Sequence, residues 1–162
     1  MQHSDAAEYG DAMVAALELI WGEGFLSPGG PEEVAAALAG RDIRGAEVLD
    51  IGCGIGGIDL LLAERFCAAK VTGIDVEGDN IERARRRAER RGLAGRVGYR
   101  LVEPGPLPFE PASFDVVFMS LRSTEGRSGR PGPSAGRGRL ANYQMISPVP
   151  REALSRSSRV LA

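Results

Sequence analysis

Residues 48–57 read VLDIGCGIGG and hold the chain's densest set of chemistry-bearing positions. An apolar run leads into a carboxylate, Asp50, and then a glycine cluster opens a helical pattern. That order predicts a strand ending in a tight turn beneath a ligand. Gly52, Gly54 and Gly57 satisfy the dinucleotide spacing G-x-G-x-x-G, a pattern with little specificity of its own. Asp50 adds information. It lies two residues before the first glycine, at the carboxyl end of the strand. A carboxylate there suits a ligand with a cationic end and would repel a pyrophosphate. Cys53, between the first two glycines, belongs to the same turn and is grouped with the ligand-binding set.

Asp75 follows Gly52 by 23 residues and closes a second strand pattern. A carboxylate in that place can accept hydrogen bonds from both ribose hydroxyls of an adenosine cofactor, or can cap the next helix. The ribose role fits NAD and S-adenosylmethionine equally. Val76, the next residue, would give apolar contact to an adenine. Glu103 opens EPGPLPF, six residues before Phe109.

The elements that must position these residues alternate. Helical spacing of Met13, Val14, Leu17, Ile20 and Trp21 predicts an amphipathic helix over residues 5–21. GEGFLSPGG (22–30) is a loop, and Pro31 suits the first turn of a helix running to about residue 39. Strands are expected at 47–51, 70–75, 96–102 and 114–119. Ile58, Leu61, Leu62 and Phe66 mark a helix after the first strand. Asp79 is expected to cap a helix to about residue 91, closed by Gly92. The arginines of residues 83–91 alternate with Glu82 and Glu89, which predicts a solvated, salt-bridged face. The fold class is therefore α/β: a Rossmann-like, doubly wound, mostly parallel sheet in three α/β/α layers, incomplete after the fourth strand.

The glycine stretch with its leading acid resembles motif I of the class I S-adenosylmethionine-dependent methyltransferases. That resemblance implies S-adenosylmethionine as cofactor and S-adenosylhomocysteine as product. It also gives Asp50 and Gly52 the methionine end, and Asp75 the ribose. An acid before L-P-F followed by a strand such as SFDVVF is also similar to the family, in which that acid accepts from the adenine amino group; Glu103 stands there. GEGFLSPGG, with Tyr9 upstream, resembles the phosphoethanolamine (phosphobase) N-methyltransferases. In that branch a tyrosine at the position of Tyr9 closes over the active site, and a serine at the position of Ser27 contacts the cofactor. The implied partner is a small-molecule amine as methyl acceptor.

The resemblance covers about residues 5–119 and then stops. The family's tyrosine pairs with a histidine just beyond the fourth strand, whereas this chain has a single histidine, His3. Residues 1–119 carry 20 acidic and 12 basic side chains; residues 120–162 carry 2 and 8. Residues 122–139 contain no apolar side chain larger than proline, so 120–145 is expected to be disordered. Residues 146–162 could form a short helix that faintly resembles the family's next one. With 19 arginines and one lysine, such a tract is what GC-rich coding sequence gives out of frame. The expectation is a binding domain over 1–119, with 1–40 as a helical cap, whose acceptor half is lost. The fourth strand would then be an exposed edge that promotes self-association.

Two other functional classes compete. One is a non-catalytic S-adenosylmethionine-binding module, and the other an NAD-dependent Rossmann protein. Nucleic-acid binding by the arginine tract is disfavoured, because it has no aromatic residue before Tyr143. No apolar run reaches the ~18 residues of a membrane span, and no signal-peptide plan opens the chain, so the expected location is cytoplasmic. Cys53 and Cys67 lack metal-ligand spacing and are expected to be small buried residues.

Overall fold

The computed structural model describes residues 10–26, 30–121 and 142–146. Two helices, α1 (Asp11–Trp21) and α2 (Gly30–Ala37), precede β1 (Glu47–Ile51). Then come α3 (Gly57–Glu64), β2 (Lys70–Asp75), α4 (Gly78–Arg90), β3 (Val97–Leu101), β4 (Val116–Leu121) and β5 (Asn142–Ile146). The strands form one sheet in the order β3-β2-β1-β4-β5, with β3, β2, β1 and β4 parallel and β5 antiparallel to β4. This is a Rossmann-like sheet. The order reverses at β1, so the crevice outside the carboxyl ends of β1 and β4 is the switch point where such sheets take ligands.

The parallel register stacks residues in rows. Val48, Val71, Val97 and Val116 form one row, and Asp50, Gly73, Tyr99 and Phe118 the next row on the same face. Valines suit this face because a β-branched side chain packs well on a pleated surface buried by helices. The core joins them to Phe25, Val34, Leu62 and Ile81 from the helical side. Tyr99 reaches both α3 and α4: its hydroxyl donates to the Gly56 carbonyl, and a side chain on Gly56 would run into the Tyr99 ring and Ala84.

On the opposite face Leu49 and Ile74 are fully buried, Thr72 and Val117 half-buried, and Gly98 and Arg100 exposed. A doubly wound sheet covers that face with the helix after its third strand. Here residues 102–115 contain no helix. Asp115 nevertheless fixes the start of β4: its Oδ2 accepts from the Glu47 amide at 2.9 Å, and its own amide donates to the Glu47 carbonyl.

The expectation of an exposed fourth strand is corrected. β5 pairs along β4 from Val117↔Ile146 to Leu121↔Asn142, and Phe118 is fully buried. Unpaired backbone donors and acceptors on β4 find the nearest extended segment with strand-forming residues, and NYQMI supplies it. Strand structure thus enters the 120–145 stretch expected to be disordered; residues 122–141 and 147–162 lie outside the described residues. Ile146 ends β5, and the rest of the helix expected over 146–162 lies outside the described residues. Three smaller differences follow from local chemistry. Glu77 and not Asp79 occupies the N-cap of α4, with no side-chain capping bond. Cys67 is exposed, in a left-handed turn at φ 56° where its carbonyl accepts from Gly45. In α1 only Val14 is buried, while Met13, Leu19 and Ile20 are exposed.

Candidate cofactor-binding site

The carboxyl end of the sheet is built around the glycine turn. Gly52 and Cys53 both donate to the Ile74 carbonyl, at 2.8 and 3.0 Å, so the turn after β1 is bolted to the end of β2. Gly52, Gly54 and Gly56 all have positive φ, which a side chain would strain. Above Gly52 lies open space, and above Gly54 only Leu26 approaches, at 3.6 Å from where a Cβ would stand. Cys53 points the other way: its thiol is buried, and burial with the neighbouring carboxylates pushes its pKa up. A buried thiol held in its protonated form is a poor nucleophile, and its Sγ lies 3.8 Å from the Gly54 carbonyl oxygen.

Asp75 ties the turn to the strand end. Its Oδ2 accepts from the Gly54 amide at 2.8 Å and its Oδ1 from the Glu77 amide at 2.9 Å. Each carboxylate oxygen retains a second lone pair for an incoming hydroxyl. Val76, beside it, is an exposed apolar side chain, as is Leu101 at the end of β3. Glu103 is exposed on the following loop. That loop is ordered by an edge-to-face pair of Phe109 and Phe114, with the Arg100 guanidinium over the Phe109 ring. The sheet end therefore brings together Gly52, Gly54, Asp75 and Val76, with Glu103 in the segment that follows the neighbouring strand. Tyr9 and Ser27 lie outside the described residues.

Asp50 is placed differently from a surface-facing acid. Its carboxyl is fully buried in the row with Gly73, and neither oxygen has a hydrogen-bond partner. Burial first, then Asp59 and Asp75, push its pKa well up. Asp59, on α3, is equally buried and unpartnered. Its pKa is also raised by burial and by Asp75, with its own backbone N–H drawing it partly back. Among the described residues no group of side chains could hold a metal ion, and no helix is long and apolar enough to cross a membrane.

The start of α3 is occupied by the chain itself. The Gly57 amide donates to the Gly24 carbonyl at 3.1 Å, and a Cβ on Gly24 would sit 2.6 Å from Gly57 Cα. A dinucleotide-binding turn keeps this helix N-terminus clear for a pyrophosphate. Here loop 22–26 lies against it. Beside the acid before the turn, the loop against the helix end and the carboxylate at the end of β2 stands one comparison: residues 48–127, just under half of the chain, match the methyltransferase-domain family. That stretch is a class I methyltransferase domain.

Among curated proteins, this chain is 34% identical over 115 residues to phosphoethanolamine N-methyltransferase 1 of Arabidopsis thaliana, covering 70% of this chain and 23% of that one. It is 44% identical over 82 residues to a ubiquinone biosynthesis O-methyltransferase of Methylocella silvestris, covering 49% and 30%. The chain thus spans less than a third of either relative. Among solved structures, phosphoethanolamine N-methyltransferase 2 of Haemonchus contortus superposes with a TM-score of 0.63 at 28% identity, over 72% of this chain and 34% of that one. That protein was solved with S-adenosyl-L-methionine, and also with phosphomonomethylethanolamine and S-adenosylhomocysteine.

Three residues of the site escaped sequence reasoning. Arg87 reads as part of a charged run, yet it is 6% exposed. The signal was its place on the apolar stripe of α4, three residues after Ala84 and six after Ile81. Glu18, which pairs with it, carries no local sequence mark, and Gly24 was marked only as part of the loop GEGFLSPGG.

Proposed function

We propose that this chain is the cofactor-binding part of a methyltransferase that uses S-adenosylmethionine to methylate a small-molecule amine of the phosphobase type. The residues fit such a cofactor. Gly52 leaves open space over the turn, Asp75 has lone pairs free for ribose hydroxyls, and Val76 offers apolar surface to an adenine. Glu103 would accept from the adenine amino group. Asp50 lacks any counter-charge, and an ammonium near Gly52 would supply one. Tyr9 and Ser27 keep the roles the resemblance gives them. The bound cofactor would supply an activated methyl group for in-line displacement; the protein's own part is to hold the acceptor at near-attack distance and to accept a proton.

The observation that carries this over a dinucleotide reading is the Gly24 carbonyl on the Gly57 amide. It fills the place that a pyrophosphate would take at the helix N-terminus. Calorimetry with S-adenosylhomocysteine and NAD as separate titrants tests this. Binding of the first alone is expected; binding of NAD alone would overturn it.

Methyl transfer to phosphoethanolamine by this chain is expected to be absent or very weak. The only histidine is His3, and a general base contributes about 10²–10⁴-fold. A cofactor-binding module without catalysis is the second reading favoured by that observation. Release of S-adenosylhomocysteine within an order of magnitude of an intact relative would sink both the weak-activity expectation and the module reading.

A further inference from the structure

The structure assigns a positioning role to Arg87: it latches the N-terminal segment, α1 and loop 22–26, onto the glycine turn, and so sets cofactor affinity from outside the binding surface. The guanidinium makes three kinds of contact. Nη1 donates to the Ile55 carbonyl, inside the glycine turn, at 2.7 Å. Nη2 pairs with Glu18 Oε1 on α1. Nε lies 3.7 Å from Glu23 Oε1 in the loop after α1.

Glu18 then passes the contact on. Its same Oε1 accepts from the Gly24 amide at 2.6 Å, and the Gly24 carbonyl accepts from Gly57. One closed circuit therefore runs through α4, the glycine turn, α3 and the cap. Two residues beyond Gly24, Leu26 packs at Gly54. A second cap contact, Arg83 with Asp11 at 2.7 Å, joins the same two helices, but Asp11 is 95% exposed and this pair is screened by solvent. Arg87 is the buried one.

Buried hydrogen-bonded charge is costly to orphan, so the circuit acts as a unit. Opening it would release the wall beside Gly54 and free the Ile55 carbonyl within the turn. The cofactor part of this assignment rests on the cofactor reading above; the latch itself does not.

The test uses the full chain with three variants, Arg87→Met, Glu18→Gln and Arg87→Lys, and two measurements. Amide hydrogen exchange without ligand reads the latch. Glu18→Gln, on a partly exposed side chain, is expected to speed exchange at Gly24 and Gly57 together, with β2 and β3 amides unchanged. Arg87→Met should do so more strongly, and Arg87→Lys should restore part of the protection. Affinity for S-adenosylhomocysteine is expected to fall roughly tenfold in Glu18→Gln and Arg87→Met, in variants whose ligand-free melts are still cooperative. Unchanged exchange at Gly24 and Gly57, or a uniform rise across the whole chain, would overturn the latch. Altered exchange with unchanged affinity would overturn the link to cofactor binding. A parent chain that binds no S-adenosylhomocysteine would overturn the cofactor reading, while the exchange result decides the latch by itself. Should Arg87→Met fail to fold, Glu18→Gln and Arg87→Lys carry both measurements.

Discussion

Asp59 occupies the space that Gly73 leaves empty. A Cβ on Gly73 would come within 2.8 Å of Asp59 Oδ1, and as close to the Cys53 Cβ and the Tyr99 ring. The glycine on β2 is thus what lets an acid on α3 lie against the sheet, next to Asp50 on the adjoining strand. Gly73→Ala is expected to cost roughly 1–3 kcal/mol, the range for overpacking a filled core. Urea unfolding of the purified chain checks it. A loss below about 0.5 kcal/mol would mean that α3 slides to make room and that the contact is not tight.

The same packing sets a pH dependence. Burial raises both Asp50 and Asp59, Asp59 to about 8. A carboxyl whose folded pKa is raised favours its protonated form in the fold. Its stabilising contribution is complete below the unfolded value near 4, and is lost as pH rises towards the folded value. The steepest loss is about 1.4 kcal/mol per pH unit for one group, and the two acids titrate as a pair. Asp59→Asn should therefore raise the melting temperature relative to the parent at pH 8, and much less at pH 5. Parallel melting curves across that window would show that both acids are ionised and compensated in the fold.

Asp75→Ala should weaken S-adenosylhomocysteine binding by on the order of 1.5–3 kcal/mol, the worth of hydrogen bonds to a charged acceptor. Because Asp75 also holds the Gly54 and Glu77 amides, the variant should be less stable as well. Asp75→Asn keeps an acceptor and separates the two effects: it should recover stability more than affinity. Calorimetry and melting on the three proteins give the comparison. Equal affinity in all three would remove Asp75 from the site.

The cofactor side of the fold was legible because its signals are local. β1 and β2 have the bounds read from hydrophobic runs ending in acids, and the glycine turn lies where its spacing puts it. β3 and β4 each shift by only a residue or two, as strand ends do. What was not legible depends on contacts distant in sequence. Arg87 meets Glu18 across 69 residues, and neither side chain looks unusual beside its own neighbours. The burial of Asp59 needs the absent side chain at Gly73. The pairing of β5 with β4 needs a return across residues 122–141, whose composition gives no hint of a strand beyond it.

That return yields the last prediction. Without β5, the backbone groups of β4 that face it would be unpaired, on a strand whose central residue, Phe118, is fully buried. Exposed edges of apolar strands recruit other chains. A chain ending at residue 141 is therefore expected to melt at a lower temperature and to sediment as dimers or larger species, and the full chain is expected to sediment as a monomer. Uncovering Phe118 alone would forgo roughly 1.5–3 kcal/mol, a large part of a typical net stability of about 5–15 kcal/mol. Charged substitution on the remaining edge separates the two causes. Val117→Lys in the shortened chain should suppress association without restoring the melt, since it blocks edge pairing but buries nothing. A shortened chain that stays monomeric with an unchanged melt would mean that β5 contributes nothing to the sheet in solution.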